Sequence, residues 1–255
     1  MRAPFLVPRL RESLVATGRP WRSLDVHDEI DSTNAECLRL GEPWRVVLAE
    51  HQQAGRGRMR RAWEAPAHTS VLLSVLLPGK DAPWGWLPLL AGLAMTRAVW
   101  RVAHLELGLK WPNDVLAPAD GERKVCGILC EVGNAGVVVG AGLNVDQTRA
   151  ELPVPTGSSL ALCGARGAAR EGLVVAFLDE LAAVHTGWGT PQGRPDQEDY
   201  RRRCLTIGRV VTVHTPGGAV SGRVSAVDED GRLLVDGGQG PASYAAGDVE
   251  HMSAG

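Results

Sequence analysis

The chain has 255 residues, more than the usual single domain of about 100–200, so we expect one large domain with a small appendage. Its 44% hydrophobic and 22% charged residues exclude a globally disordered chain. A net charge of −2 gives no general attraction to nucleic acid or membranes, and no apolar run is long enough to span a bilayer. Five cysteines without close pairing indicate reduced thiols and predict a cytoplasmic protein.

The periodicity of apolar residues predicts an α+β fold, a mixed β-sheet with flanking helices. Thr33 and Glu36 form a capping-box signature, which predicts a helix with Thr33 as its N-cap and an end near Gly41. Residues 51–68 are polar and aperiodic, and a loop of this length is usually functional or mobile. The other predicted elements are a helix at 6–15, strands at 23–30, 46–50 and 71–77, a helix at 86–102, strands at 105–116, 125–131 and 137–143, and helices at 158–162 and 172–188.

The pattern of predicted elements changes after residue 203. Short strands at 207–213, 220–227, 233–235 and 242–244 are separated by glycine, proline and aspartate turns. This pattern predicts a small β-barrel. We therefore divide the chain into a large domain at 1–204 and a barrel at 205–255.

The long loop contains the segment Gln52-Gln53-Ala54-Gly55-Arg56-Gly57-Arg58. Its glycines let backbone amides approach an anion, and its arginines provide paired donors for phosphate. The segment matches neither the dinucleotide-binding fingerprint nor the phosphate-binding loop of nucleoside triphosphatases. Taken alone, it is more typical of a flexible basic loop than of a site.

A second polar segment is Lys110-Trp111-Pro112-Asn113-Asp114. Pro112 requires an extended backbone at the residue before it, and the Asn-Asp pair at a strand end favours a turn. An ammonium, an amide and a carboxylate are thus brought together, either as a turn closed by a salt bridge or as part of a site. Only 3 of the 27 basic residues are lysines, which raises the weight of the second interpretation.

Two further segments contain small residues on strands. Lys124 opens the otherwise apolar residues 124–131, so its ammonium can point into a cleft from a rigid base. Cys126 and Cys130 are interpreted as packing residues, because no third cysteine or nearby histidine completes a metal site. In residues 140–145 a planar ligand can lie against the backbone, and Asn144 can pair with an adenine edge. A glycine-rich strand exit explains the last segment equally well.

These segments occur in a defined order along the chain, which begins with Ser32-Thr33-Asn34 and includes Trp63 after the loop. This order indicates a protein family more specifically than any one segment does. The chain resembles the biotin–protein ligases, that is, biotin–[acetyl-CoA-carboxylase] ligases, in motifs from about residue 26 to 144 and in architecture beyond. The resemblance implies that the domain at 1–204 is catalytic and that the barrel at 205–255 is SH3-like. The resemblance implies that biotin is activated with ATP and Mg²⁺ to biotinyl-5′-AMP. It also implies transfer to a lysine of a biotin carboxyl carrier domain of an acyl-CoA or pyruvate carboxylase, by a monomer or homodimer.

The resemblance implies roles for individual residues as well. The biotin-binding set is Ser32, Thr33, Asn34, Gln52, Gly55, Arg56, Gly57, Arg58, Lys124, Gly127 and Gly142. The set for ATP and the adenylate is Arg56, Arg58, Trp63, Asn113, Lys124 and Asn144. Lys124 and the two arginines are the expected catalytic cations, and Asp114 either assists the acceptor lysine or caps the turn. No direct structural metal site is expected.

Two features depart from the family's common pattern. The loop continues Met59-Arg60, where many relatives have another basic residue and then glycine, so Arg60 reduces flexibility there. The first 22 residues are too few for the DNA-binding domain of repressor-type ligases. We therefore expect a monofunctional enzyme that does not bind DNA.

Three alternatives stay open from sequence. A lipoate–protein ligase shares the fold and the adenylate chemistry, although the glycine-arginine loop and residues 110–114 favour biotin. A biotin-sensing module without catalysis would have no use for Lys124 and the two loop arginines. Residues 201–203, three consecutive arginines, are more typical of a solvated helix face than of a DNA contact.

Overall fold

Helices and strands are interspersed up to residue 203, and the described residues beyond it form strands and turns without a helix. The computed structural model describes residues 2–16, 18–215, 218–238 and 240–252. Its elements are α1 (Val7–Leu14), β1 (Ser23–Ile30), α2 (Thr33–Leu40), β2 (Arg45–Gln52), β3 (Ser70–Pro78), α3 (Trp86–Ala103), β4 (Gly108–Lys110), β5 (Asp114–Ala117), β6 (Arg123–Gly133), β7 (Gly136–Asn144), α4 (Arg170–Gly187), α5 (Arg194–Arg203), β8 (Val210–Thr215), β9 (Gly218–Val227), β10 (Leu233–Gly237), β11 (Gly240–Tyr244) and β12 (Asp248–His251).

The strands form two sheets. The first has seven strands in the order β1-β2-β3-β7-β6-β5-β4, and its β1–β2 pair is parallel while the other pairs are antiparallel. The second is antiparallel, in the order β11-β10-β9-β8-β12. Its described strands show no pairing between β11 and β12, so this sheet is not a closed barrel. The predicted α+β fold with a small C-terminal β-unit is confirmed.

A continuous apolar core joins the two sheets. Helix α3 is buried on most of its faces because it lies between the first sheet and α4. Val211, Val224 and Leu233 of the second sheet belong to the same core. The proposed boundary after residue 204 therefore stays a prediction. No helix in the described part of the chain combines the length and apolarity that a membrane span requires.

The turn between β9 and β10 attaches the second sheet to the helices of the first. Trp86 and Trp111 donate their indole N–H groups to the carbonyl oxygens of Glu229 and Gly231, at 2.8 and 3.0 Å. A Cβ at Gly85 would lie 2.3 Å from the carbonyl oxygen of Asp230, so the two backbones meet where only glycine fits. The indoles thus satisfy buried carbonyls and fix the relative position of the sheets.

The start of α2 differs from the prediction by one residue. The N-cap is Ser32, whose Oγ accepts a hydrogen bond from the N–H of Ala35 at 3.4 Å. Thr33 is therefore not the cap, and Glu36 pairs with Arg39 on the helix surface. The end is as predicted, because Gly41 adopts a left-handed conformation with φ 64°.

Two further predictions are wrong. Residues 105–116 form not one strand but the hairpin β4–β5, because Pro112 removes a backbone donor and residues 111–113 turn the chain. Residues 158–162 form turns instead of a helix, because the backbone N–H of Ser158 and Leu160 bond to Lys124 and Asn144. Helix α5 includes residues 201–203, which were interpreted as a helix face, but its first seven residues and strand β12 had no predicted counterpart.

A buried ion pair lies where β2 leads into the long loop. The side chains of Arg170 and Glu50 are 7% and 1% exposed, and Nη1 lies 2.7 Å from Oε2. The other carboxylate oxygen of Glu50 accepts a hydrogen bond from the backbone N–H of Phe5, whose ring lies 4.0 Å from the Arg170 guanidinium. One carboxylate thus joins the N-terminal segment, the sheet and α4.

We predict that Glu50→Gln lowers the free energy of unfolding by about 3 kcal/mol, because it leaves the Arg170 charge buried without a counter-charge. Urea denaturation of both proteins measures the difference. The control is Glu36→Gln, whose partner Arg39 is 68% exposed and whose loss should cost less than about 1 kcal/mol. Equal losses in the two variants would contradict the assignment of Glu50 as the central anion.

Candidate active site

A cleft with a volume of about 1270 Å³ lies between the two sheets. Every predicted site residue except Gly55 lines it. The second sheet contributes side chains that the sequence did not single out, among them Arg209, Asp248 and His251. Gly55 lies instead where the two ends of the loop approach each other, because a Cβ there would lie 2.3 Å from the carbonyl oxygen of Trp63.

One end of the cleft is polar and tightly hydrogen-bonded. Gln52 Oε1 accepts hydrogen bonds from the backbone N–H and the hydroxyl of Thr33, at 2.8 and 3.0 Å. Ser74 on β3 donates to Asn34 Oδ1 at 2.6 Å, and a Cβ at Gly140 would lie 1.9 Å from that oxygen. The N-terminal turn of α2 is therefore held against the sheet with its polar groups in fixed orientations.

A carboxylate connects this end to the long loop. Glu131 Oε2 accepts a hydrogen bond from Asn34 Nδ2 at 2.7 Å, and its other oxygen lies 3.3 Å from Arg56 Nη1. Arg56 is therefore oriented by a charge on β6. The sequence segment contained Glu131, but no role was predicted for it.

Two glycines form a slot in the middle of the cleft, and the Trp63 indole lies in it. A Cβ at Gly142 would lie 2.5 Å from the indole, and a Cβ at Gly127 would lie 3.1 Å from it. Trp63 Nε1 is buried and has no hydrogen-bond partner in the described part of the chain. Dispersion and burial therefore hold the ring in the slot, without a directional polar contact.

Lys124 and Asp114 form an ion pair beside this slot. Their Nζ and Oδ1 atoms are 2.6 Å apart, on the neighbouring strands β6 and β5, and both side chains are partly exposed to the cleft. The ammonium also lies 5.5 Å from the centre of the Trp63 ring, within the range of a cation–π contact. The structure thus brings the predicted lysine and carboxylate into direct contact.

The tip of the long loop is anchored to both sheets. Arg58 donates to Asn113 Oδ1 at 3.1 Å and to the carbonyl oxygen of Gly247 at 3.2 Å, and burial lowers its pKa. Arg61 forms an ion pair with Asp248. Arg60 has a φ of 59°, in the left-handed region that glycine adopts at least cost, which is the position where the sequence departs from the family pattern.

The amide of Asn144 is engaged within the protein. Its Nδ2 donates to the carbonyl oxygen of Ser158 at 2.9 Å, and its Oδ1 accepts from Gln147 at 2.9 Å. Each amide atom keeps one further hydrogen-bonding position. The predicted contact with adenine stays a prediction, and the observed bonds hold residues 144 and 158 together at the cleft wall.

The chain matches two family descriptions. Residues 28–147 match the biotin/lipoate A/B protein ligase family, and residues 206–252 match the biotin protein ligase C-terminal domain. The biotin–[acetyl-CoA-carboxylase] ligase of Mycobacterium tuberculosis is 41% identical, with 99% of this chain and 97% of the relative covered. The chain belongs to the biotin protein ligase family.

Two further comparisons concern a relative that is longer than this chain and a solved structure that shows similarity of fold. The bifunctional ligase/repressor BirA of Escherichia coli is 31% identical, with 84% of this chain and 69% of that protein covered. The biotin protein ligase from Aquifex aeolicus, solved in complex with biotin and ATP, has a TM-score of 0.79 at 23% identity. The alignment covers 91% of this chain and all of that one, so the ligase fold extends through both sheets.

Burial determines the protonation state of Cys126 and Cys130. It raises the pKa of Cys126 well above its ordinary value and that of Cys130 to about 12, which keeps both as neutral thiols. No three His, Cys, Asp or Glu side chains converge on a metal-sized space in the described residues. The packing interpretation of both cysteines agrees with these observations.

We predict that Gly142→Ala expels the Trp63 indole from the slot, because the new Cβ would overlap the ring. Without its apolar anchor the loop opens more often, and the amides of Gly57 and Trp63 should exchange hydrogen about tenfold faster or more. Exchange measured by mass spectrometry tests this. Gly238→Ala is the control, since a Cβ there meets nothing within 4 Å. Unchanged loop protection in Gly142→Ala would contradict the anchoring role of Trp63.

Proposed function

We propose that this ligase activates biotin with ATP to biotinyl-5′-AMP and transfers the biotinyl group to a lysine of a carboxyl carrier domain. The observation that carries the proposal is the position of Lys124 in the cleft. Its ammonium lies beside the glycine slot, with the polar end of the cleft on one side and Arg58, which bonds to Asn113, on the other. This order of groups matches the order of biotin's own parts: ureido ring, apolar tail, and a carboxylate that must meet a phosphate.

The polar end suits the ureido ring. Thr33, Asn34 and Gln52 provide fixed donors and acceptors, and Ser32 completes the set at the helix N-terminus. The valeryl tail would then occupy the slot over Gly127 and Gly142. Because the indole lies on these glycines, Trp63 must move outward and cover the tail from the other side.

Adenylation requires two anions to approach each other. An oxygen of the biotin carboxylate attacks the α-phosphorus, the bond from that phosphorus to the bridging oxygen breaks, and pyrophosphate leaves with the electron pair. Lys124 turns from Asp114 to the meeting oxygens, while Arg56 and Arg58 offset the charge on the phosphate. Asn113 and Asn144 hold the surrounding wall in position.

Mg²⁺ accompanies the nucleotide in this proposal. The described residues offer no cluster of three ligands for it, and Mg²⁺ commonly binds through substrate phosphates with one or two carboxylates and water. When bound, it supplies further positive charge to the phosphates.

Asp114 acts in the second step. Once Lys124 has turned to the adenylate, the Asp114 carboxylate is free to orient the acceptor lysine and accept its proton. The neutral amine attacks the biotinyl carbonyl carbon and an amide bond forms as the nitrogen releases its second proton to water. AMP leaves with the electron pair of the broken C–O bond.

The proposed acceptor is the biotin carrier domain of acetyl-CoA carboxylase, with the carriers of other acyl-CoA carboxylases and pyruvate carboxylase as further candidates. We also propose that the enzyme acts in the cytoplasm, as a monomer or homodimer. All five cysteines are free thiols, as expected in a reducing compartment.

Incubation with biotin, ATP, Mg²⁺ and a carrier domain tests the function, with biotin transfer read by mass spectrometry. We expect one biotinyl group on one lysine, and none when ATP is omitted. Replacement of biotin by lipoate distinguishes the two ligase types. Transfer of lipoate without transfer of biotin would overturn the proposal.

We predict that Lys124→Gln slows biotinyl-5′-AMP formation by about 10²–10³-fold, the range for loss of one strong electrostatic donor. Lys124→Arg should recover little, because a guanidinium fork prefers two oxygens of one group over one oxygen from each of two groups. Single-turnover measurement of the adenylate gives the rate, and the melting temperature confirms folding.

The matched control is Arg123→Gln, one residue earlier on β6, whose side chain pairs with Asp120 and does not line the cleft. It should retain the wild-type rate. A folded Lys124→Gln protein with a near wild-type rate of adenylate formation would contradict the role assigned to this lysine.

A further inference from the structure

One carboxylate outside the cleft joins the polar end of the cleft to the long loop. Glu131 lies on β6, and its side chain is 27% exposed and does not line the cleft. Its Oε2 accepts a hydrogen bond from Asn34 Nδ2 at 2.7 Å, and its Oε1 lies 3.3 Å from Arg56 Nη1. The proposed mechanism gives no part to Glu131, although both of its partners belong to the proposed biotin site.

The contact with Glu131 fixes the orientation of the Asn34 amide. Asn34 is buried, and only its side-chain nitrogen can donate a hydrogen bond to a carboxylate, so its oxygen must point the other way. That oxygen accepts a hydrogen bond from Ser74 at 2.6 Å and faces Gly140, where a Cβ would lie 1.9 Å from it. A rotated amide would place its oxygen against the carboxylate, as two acceptors without a proton between them.

Residues 55–63 of the long loop form a small hairpin. Arg56 and Ala62 pair as a single antiparallel bridge, and the backbone N–H of Gly57 donates to the carbonyl oxygen of Arg61 at 2.7 Å. These bonds join the two arms of the hairpin to each other and not to the rest of the protein. Contacts of its side chains must therefore hold the hairpin over the cleft.

The hairpin forms two ion pairs in the described part of the chain, one with each sheet. Arg61 pairs with Asp248 of the second sheet, and Arg56 pairs with Glu131 of the first. The side chains of Arg56 and Glu131 are 42% and 27% exposed, so water and salt weaken this pair without removing it. An ion pair of this kind can open for a substrate and close again behind it.

We propose that Glu131 is a positioning residue that couples the polar end of the cleft to closure of the hairpin. This inference rests on the proposed adenylation. Biotin at the polar end holds Asn34 in the orientation that Glu131 fixes, and the same carboxylate then holds Arg56 and the hairpin over the adenylate. Glu131 touches neither the substrates nor the reacting atoms. It therefore determines how long biotinyl-5′-AMP stays bound, and not how fast it forms.

The rate at which the enzyme releases biotinyl-5′-AMP tests this role. Glu131→Gln keeps an acceptor oxygen for Asn34 but removes the charge that faces Arg56. It should release the adenylate about two- to fivefold faster at low salt, the effect of losing one partly exposed ion pair. The difference from wild type should diminish at about 1 M salt, where the screening length is about 3 Å. At saturating biotin and ATP, the single-turnover rate of adenylate formation should stay within about twofold of wild type.

A double-mutant cycle identifies the partner through which Glu131 acts. In an Arg56→Gln background, Glu131→Gln should change the release rate by less than about 1.5-fold, because the charge that it held is already absent. Glu131→Leu also removes the acceptor for Asn34 and should raise the Kd for biotin about tenfold above that of Glu131→Gln. Melting temperatures confirm that each variant is folded.

Glu36→Gln is the matched control, with the same change of charge on the helix that contains Asn34. Its partner is Arg39 on the surface of α2, so the variant should release the adenylate at the wild-type rate. A folded Glu131→Gln protein with wild-type release, or an equal acceleration in both Arg56 backgrounds, would overturn this inference alone. Equal Kd values for biotin in Glu131→Gln and Glu131→Leu would overturn the part assigned to Asn34. A wild-type protein that forms no biotinyl-5′-AMP would overturn the proposed function itself.

Discussion

The carboxylate of biotin and the phosphates of ATP are all anions, and a cleft that unites them must hold cations that remain free to face them. Coulomb repulsion between such groups grows as water is excluded, so each cation needs a partner that keeps it in place and releases it. In the proposed mechanism the pair of Lys124 and Asp114, 2.6 Å apart, meets both needs. Both residues lie on strands that are paired on each side within the first sheet, so the backbone there does not depend on this ion pair.

The remaining architecture positions charge around that pair. The first sheet carries the rigid groups, the long loop brings Arg56 and Arg58, and the second sheet provides Asp248 as a counter-charge. Buried contacts fix the sheets relative to each other through Trp86 and Trp111. In contrast, the loop is attached mainly by exposed ion pairs and one indole, so it is the part that can open for a substrate.

Local signals in the sequence predicted most strands, the long loop and the residues that line the cleft. They failed where a contact distant in sequence decides the local structure. Residues 158–162 turn because Lys124 and Asn144 bond to them, and the cap of α2 shifts because Thr33 bonds to Gln52. Asp248 had no predicted role, since its significance depends on the junction of the two sheets. Ser74, the one polar residue of an otherwise apolar run, marks the polar end of the cleft, but no role was predicted for it.

A crystal structure with a non-hydrolysable analogue of biotinyl-5′-AMP tests the central claim most directly. If Lys124 bridges the two anions, its Nζ will lie within hydrogen-bonding distance of an oxygen from the biotinyl side and an oxygen of the phosphate, with Asp114 released. The Trp63 indole will have left Gly127 and Gly142, with the biotinyl tail in its place. A complex in which Lys124 still contacts only Asp114, and other cations alone contact the phosphate, would contradict the account.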